Sequence, residues 1–266
     1  MKLNGKVLVI TGAGNGMGRQ MTLEALSRGA SVFGVDLKEE ALQETAKLAN
    51  AGDRFAYATA NIADRDRVMA LPAEVEAKFG AVDILVNNAG IIQPFVRVNQ
   101  LEFKDIDHVM AVNFNGPVSM VKAFLPHLLK RPAAQIANVS SMGAYAPVPG
   151  QTVYGASKAA IKLFTEGLRT ELYGTSVTVT LIYPGAIGTN IAANSGLKME
   201  MPAGAEAKQP KTTSVEDAGR IMITAIENEV PRAFVGPDAK MLDRMARLMP
   251  VKVADIIYNQ MKNLLG

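Results

Sequence analysis

The 266-residue chain is 48% hydrophobic and 20% charged with a formal net charge of +3, which excludes a disordered chain and leaves no basic stripe for nucleic acid. It has no cysteine and two histidines, His108 and His127, so disulfides and thiolate chemistry are excluded; both histidines read as helix-surface or packing residues, and no metal site is expected. The opening MKLNGKVLVITG is too short an apolar run for a signal peptide, and no stretch nears the roughly 18 apolar residues that span a bilayer, so a cytoplasmic protein is expected.

Short β-branched runs recur along the chain: KVLVIT (6–11), SVFGVD (31–36), RFAYAT (54–59), DILVNN (83–88), QIANVS (135–140), TVTLIY (178–183) and RAFVG (232–236). Several are apolar almost throughout, as strands buried on both faces of a parallel sheet must be. Helical periodicity fills the gaps, as at 17–29, 38–51 and 64–79. This alternation predicts an α/β fold: a Rossmann-like, doubly wound parallel sheet of about seven strands flanked by helices, one domain spanning 1–266.

The first strand runs into TGAGNGMG, with Gly12, Gly16 and Gly18 at the join between strand and helix. Glycine there lets the backbone turn sharply and approach a pyrophosphate, whose charge meets amide groups at the helix start. The second strand ends in Asp36. A carboxylate at that place accepts from both ribose hydroxyls and repels a 2′-phosphate, although a strand-end residue or helix cap would also be aspartate. Leu37 and Asn15 offer no positive charge and Lys38 heads the next helix into solvent, so NAD is expected over NADP.

Further along stand NNAG (87–90), VNFNG with Asn113, NVSSMG with Ser140 and Ser141, YGASK with Tyr154 and Lys158, and YPG (183–185). Tyr and Lys at i and i+4 share one face of any helix and decide nothing alone. With the glycine loop TGxxxGxG at 11–18, these ordered motifs resemble the classical short-chain dehydrogenase/reductase family over residues 5 to 236.

The resemblance implies a catalytic set of Asn113, Ser141, Tyr154 and Lys158, with Ser141 preferred to Ser140 because it lies thirteen residues before the tyrosine. It also implies cofactor contacts from Gly12, Asn15, Gly16, Met17 and Gly18 on the loop, and from Asp36 and Leu37 after the second strand. Asn61 and Ile62 follow the third strand, Asn61 standing where the family usually has aspartate; Asn88, Ala89 and Gly90 follow the fourth. Tyr154, Lys158, Pro184, Gly185, Ile187 and Thr189 complete the set.

A free phenol, with a pKa of about 10, is a poor base at neutral pH; a neighbouring ammonium favours its phenolate and should lower that value. Ser141 would hold the substrate oxygen, and Asn113 a water linking Lys158 to solvent. The implied activity is NAD-dependent interconversion of a secondary alcohol and a ketone. A 3-oxoacyl thioester reductase is one alternative, and a catalytically silent NAD sensor or scaffold another.

The segment 186–213 is polar and Gly/Pro-punctuated and reads as an active-site flap. Substrate selectivity is expected from Gln93–Val96, Met142–Pro149 and this flap, through Ile91, Ile92, Phe95, Met142, Tyr145, Val148, Ile191, Leu197, Met199 and Met201, a set suited to a largely apolar alcohol or ketone. A C-terminal helical extension follows at 237–266, where Met241, Leu242, Met245, Leu248 and Met249 form an apolar stripe beside Lys240, Arg244 and Arg247. It is expected to pack on its own fold or at a subunit contact of a homodimer or homotetramer, rather than on a membrane.

Overall fold

Every apolar run read as a strand forms one in the computed structural model, which describes residues 1–188, 191, 195 and 212–261. The strands are β1 (Val7–Thr11), β2 (Ser31–Asp36), β3 (Phe55–Thr59), β4 (Ile84–Asn87), β5 (Ala134–Val139), β6 (Val177–Pro184) and β7 (Arg232–Val235). They form a parallel seven-stranded sheet in the order β3-β2-β1-β4-β5-β6-β7. The order reverses between β1 and β4, the place where such sheets open a crevice beyond their carboxyl ends.

Alternation along each strand divides the core in two. Val9, Leu85, Ile136 and Val179 face one side; Leu8, Ile10, Ile84, Val86 and Ile182 face the other. The first side is covered by α3 (Arg65–Phe79), α5 (Gly116–Leu128) and α6 (Thr152–Glu171). The second lies under α1 (Gly16–Ser27), α2 (Glu39–Ala49) and α7 (Val215–Glu227). A short helix α4 (Phe103–Met110) leads through a π-helical turn at Ala111–Asn115 into α5. Such a turn widens the helix by one residue and often sets a side chain for function; here it carries Asn113.

The C-terminal extension forms α8 (Pro237–Leu248) and α9 (Pro250–Met261). It packs on its own chain: Val253 and Ile257 bury themselves with Ala146 just after Ser141, and Tyr145, Leu242 and Met245 pack against them. The stripe predicted on α8 is therefore split. Leu242 and Met245 turn inward, while Met241, Leu248 and Met249 stay exposed, because only one flank of α8 meets α9 and Ala146. Asp243 is buried on another side of α8, paired with Arg232 at 3.0 Å and Arg247 at 3.1 Å.

Candidate active site

A cleft of about 480 Å³ lies over the carboxyl ends of the central strands. Its first wall is the glycine loop. Gly12 (φ +71°) and Gly16 (φ +51°) occupy the left-handed region that glycine tolerates without cost. A Cβ on Gly12 would stand 2.9 Å from Asn88 Nδ2, and one on Gly18 would collide with the Gly12 carbonyl. Gly18 thus packs α1 against the loop rather than lining the cleft, unlike Gly12, Asn15, Gly16 and Met17, which all line it. Asn15 caps α1, its side chain accepting the Gly16 N–H at 2.7 Å.

Asp36 sits at the far end of the cleft. Its Oδ2 accepts the Gly14 N–H at 2.9 Å and its Oδ1 the Lys38 N–H at 3.2 Å. The carboxylate thus braces the glycine loop and keeps lone pairs to spare. Lys38, expected in solvent, is exposed and also lines the cleft rim. Leu37, Asn61 and Ile62 line the same end, where Asn61 Oδ1 accepts the Ala63 N–H at 3.0 Å.

The NNAG segment is locked to β1 through Thr11, whose Oγ1 accepts the N–H of Asn88 at 3.0 Å and of Ala89 at 3.1 Å. Asn88, Ala89 and Gly90 line the cleft, and the buried Asn88 Oδ1 has no hydrogen-bond partner among the described residues. Pro184, Gly185 and Ile187 close the opposite wall. Thr189 lies outside the described residues, as do Leu197, Met199 and Met201.

The floor is made by α6. Tyr154 and Lys158 both line the cleft, together with Ser141, whose hydroxyl is near enough to the phenol to draw its pKa down. The Lys158 stem is buried, and its Nζ donates to the Val139 carbonyl at 3.1 Å, 6.0 Å from the centre of the Tyr154 ring. Burial lowers the Lys158 pKa to about 8. The Tyr–Lys spacing predicts a Tyr154 phenol below its ordinary value. In the structure it is raised: desolvation is the larger influence and the Ser141 hydroxyl opposes it. Ser140 is structural, its hydroxyl donating to the Lys158 carbonyl at 2.7 Å.

Asn113 is buried and does not line the cleft. Its Nδ2 donates to the Ile91 carbonyl at 2.8 Å and to Ser157 Oγ at 3.0 Å, while its Oδ1 accepts the Ile91 N–H at 2.9 Å. Both amide protons are used, so it clamps the Ile91 backbone to α6. Only its carbonyl oxygen has spare capacity. That oxygen and Lys158 Nζ flank Gly90 together, 3.3 and 3.0 Å from where a Cβ would sit.

On the substrate side Ile91, Ile92 and Ile191 line the cleft as expected. Gln93 and Tyr145 do other work. Gln93 is buried and its Oε1 accepts the N–H groups of Val153 and Tyr154, capping α6. The Tyr145 hydroxyl donates to the Ala239 carbonyl at 2.6 Å, holding α8. Exposed His108 on α4 and Val112 one turn later line the cleft unexpectedly, as do Val35, Ala41, Ala60 and Val139; Ser195, within the expected flap, lines it too, its Oγ accepting the Ile92 N–H at 3.0 Å. The spacing of His108 and Val112 at i and i+4 was their only signal. Among the described residues no cluster of His, Cys, Asp or Glu could hold a metal ion, and no helix is long and apolar enough to cross a membrane.

A family model described as short chain dehydrogenase matches residues 6–200. A relative named SadH, from Mycobacterium tuberculosis, is 36% identical over 252 residues, 92% of this chain and 91% of its own. The 3-oxoacyl-[acyl-carrier-protein] reductase FabG of Thermotoga maritima is 37% identical over 191 residues, covering 71% of this chain and 77% of FabG. Among solved structures, a short chain dehydrogenase/reductase from Burkholderia phymatum in complex with NAD superimposes with a TM-score of 0.84 at 26% identity, covering 95% of each chain. A short chain dehydrogenase from Burkholderia cenocepacia in complex with NADP gives a TM-score of 0.80 at 25% identity, covering 97% of this chain and 99% of that one.

Proposed function

This chain belongs to the short-chain dehydrogenase family, and from that premise we propose that it is an NAD-dependent oxidoreductase interconverting a secondary alcohol and a ketone on a largely hydrophobic substrate. One observation carries the reading. Tyr154, beside Ser141 and one helical turn from Lys158, lies on the floor of the same cleft that Asp36 closes at its far end.

The residues fit the cofactor. Gly12 and Gly16 line the cleft with left-handed backbone and no side chain, which leaves the loop open to a pyrophosphate. Asp36 retains acceptor capacity for ribose hydroxyls, and the orphaned Asn88 Oδ1 can accept from a bound group. Gly12, Asn15, Gly16, Met17, Asp36, Leu37, Asn61, Ile62, Asn88, Ala89, Gly90, Tyr154, Lys158, Pro184, Gly185 and Ile187 would hold it. When bound, NAD would supply the hydride acceptor and, oxidised, a positive charge near the phenol.

The chain's own part is proton handling and orientation. Ser141 Oγ holds the substrate oxygen, where charge develops as the carbonyl forms or is reduced. Tyr154 Oη takes the alcohol proton during oxidation and returns it during reduction. Ser141 opposes the upward pull of desolvation on the phenol, and the Lys158 ammonium, one helical turn away, would favour the phenolate by opposing its charge. Asn113 fixes the wall at Ile91 against α6. Ile91, Ile92, Val112 and Ile191 give the reacting end an apolar lining.

The FabG likeness favours a second reading, reduction of a 3-oxoacyl thioester. An absorbance assay at the NADH band with graded secondary alcohols, ketones and a 3-oxoacyl thioester, run with both nucleotides, separates the two. Turnover of bulky alcohols with NAD supports the first; turnover confined to the thioester with NADPH supports the second. No turnover with any of them, despite NAD binding, would overturn both in favour of a sensor.

A further inference from the structure

Asp238 belongs to the first turn of α8, in the C-terminal extension, yet its carboxylate lies against the loop that leaves β6 fifty residues earlier in the chain. Oδ2 accepts the Ala186 N–H at 2.6 Å. A Cβ on Gly185 would collide with both carboxylate oxygens, and one on Gly236 (φ +97°) would stand 2.5 Å from Oδ1. The carboxylate therefore fills a slot between two glycines, with Thr213 Oγ1 beside it, 3.0 Å from where a Cβ on Gly236 would sit. Among the described residues it has no ion-pair partner; its charge meets backbone amide N–H and the N-terminal end of α8.

The loop it grips is part of the cleft wall: Pro184, Gly185, Ala186 and Ile187 all line it. That loop is fixed at two further points. Gly185 N–H donates to the Val235 carbonyl at 2.9 Å, and Ile187 bridges Thr213, whose N–H donates to the Ala186 carbonyl at 3.0 Å. Asp238 is the one side chain among the described residues that joins this wall to the extension by a charge-assisted bond. This wall stands opposite the glycine loop and Asp36, which form the other end of the cleft.

We propose that Asp238 is a positioning residue for the nicotinamide half of the cofactor: it locks the Gly185–Ala186 backbone so that the wall opposite the glycine loop is preformed. The inference rests on the reading of the cleft as an NAD site. It makes the C-terminal extension part of the binding apparatus, with a function beyond packing.

Binding, measured by NADH fluorescence and by calorimetry with NAD and with ADP-ribose, tests it without any turnover. ADP-ribose carries the adenosine and pyrophosphate but no nicotinamide. Asp238→Ala is expected to weaken NAD and NADH about tenfold and ADP-ribose by less than about twofold, as removal of a charged hydrogen bond from one wall should. Asp238→Asn keeps an acceptor for the Ala186 N–H and should restore most of the affinity. If Asp238→Ala does not fold, Asp238→Glu gives the same readout, since its extra methylene has no room between Gly185 and Gly236. Equal weakening of NAD and ADP-ribose, or no change in either, overturns the inference while the cofactor reading stands. A wild-type chain that binds neither nucleotide overturns both.

Discussion

Gln93 caps the helix that carries Tyr154: its Oε1 accepts the backbone N–H of Val153 at 2.7 Å and that of Tyr154 itself at 2.9 Å. The residue before α6, Gln151, makes no side-chain cap of its own. The helix start is therefore held from the loop after β4, sixty residues earlier, and Tyr154 is positioned by its backbone as well as by its ring.

Gln93→Leu removes the one oxygen that accepts both bonds and leaves two N–H groups unpaired, at a cost of about 1–3 kcal/mol each if they stay dry. Turnover should fall about tenfold or more through displacement of the phenol, with the KM for NAD nearly unchanged. Gln93→Glu keeps the acceptor and should recover much of kcat. Steady-state kinetics beside a melting curve would decide; a Leu variant with lower Tm but wild-type kcat would make Gln93 purely structural.

Lys158 has a pKa lowered by burial to about 8, against an ordinary 10.5. Below about pH 8 the ammonium is charged in folded and unfolded chains alike, and the full cost of burying it is present. Between about 8 and 10.5 the unfolded chain holds more protons, so this contribution improves with rising pH and the cost vanishes above that window. Lys158→Met should accordingly raise the Tm of the nucleotide-free chain by about 5 °C at neutral pH, with the gain shrinking toward pH 10 and activity lost. A Tm difference independent of pH would show that burial of the charge is not its source.

Asp36 is expected to set the nucleotide preference. Asp36→Ala should lower NAD affinity about tenfold and raise NADP affinity relative to it, because the repulsion of a 2′-phosphate disappears. The same change strips acceptors from the Gly14 and Lys38 N–H groups, so a loss of about 1–2 kcal/mol in stability should accompany it. Parallel titrations with NADH and NADPH read the preference, and tighter NADPH binding by the wild type would refute the assignment.

Tyr154→Phe removes the proposed acid–base hydroxyl while keeping the ring, and should reduce turnover at least about a thousandfold with NADH binding within about twofold of wild type. Ser141→Ala should cost about a hundredfold in kcat by removing a donor to the developing charge. Single-turnover measurements would separate these losses from product release. Substantial activity in the Phe variant would transfer the proton chemistry to another group.

The strands, the glycine loop and the order of the motifs were legible because each is a local property: alternation, β-branching and backbone freedom need no knowledge of the rest of the chain. The apolar run at 31–36 is β2 to the residue, and sixteen of the eighteen expected cofactor contacts line the cleft. Gly18 packs behind it, and Thr189 is outside the described residues. What the sequence could not give are pairings between distant segments. Nothing near Gln93 foretells that it caps α6, nothing near Asp238 that it fits between Gly185 and Gly236, and nothing near Asn113 that both its amide protons are taken by Ile91 and Ser157. The direction of the Tyr154 shift failed for the same reason: the Tyr–Lys spacing predicts a charge effect, but desolvation depends on every element that closes over the phenol. Local periodicity determines which elements form. Only their packing decides which lone pairs, protons and charges meet in the cleft.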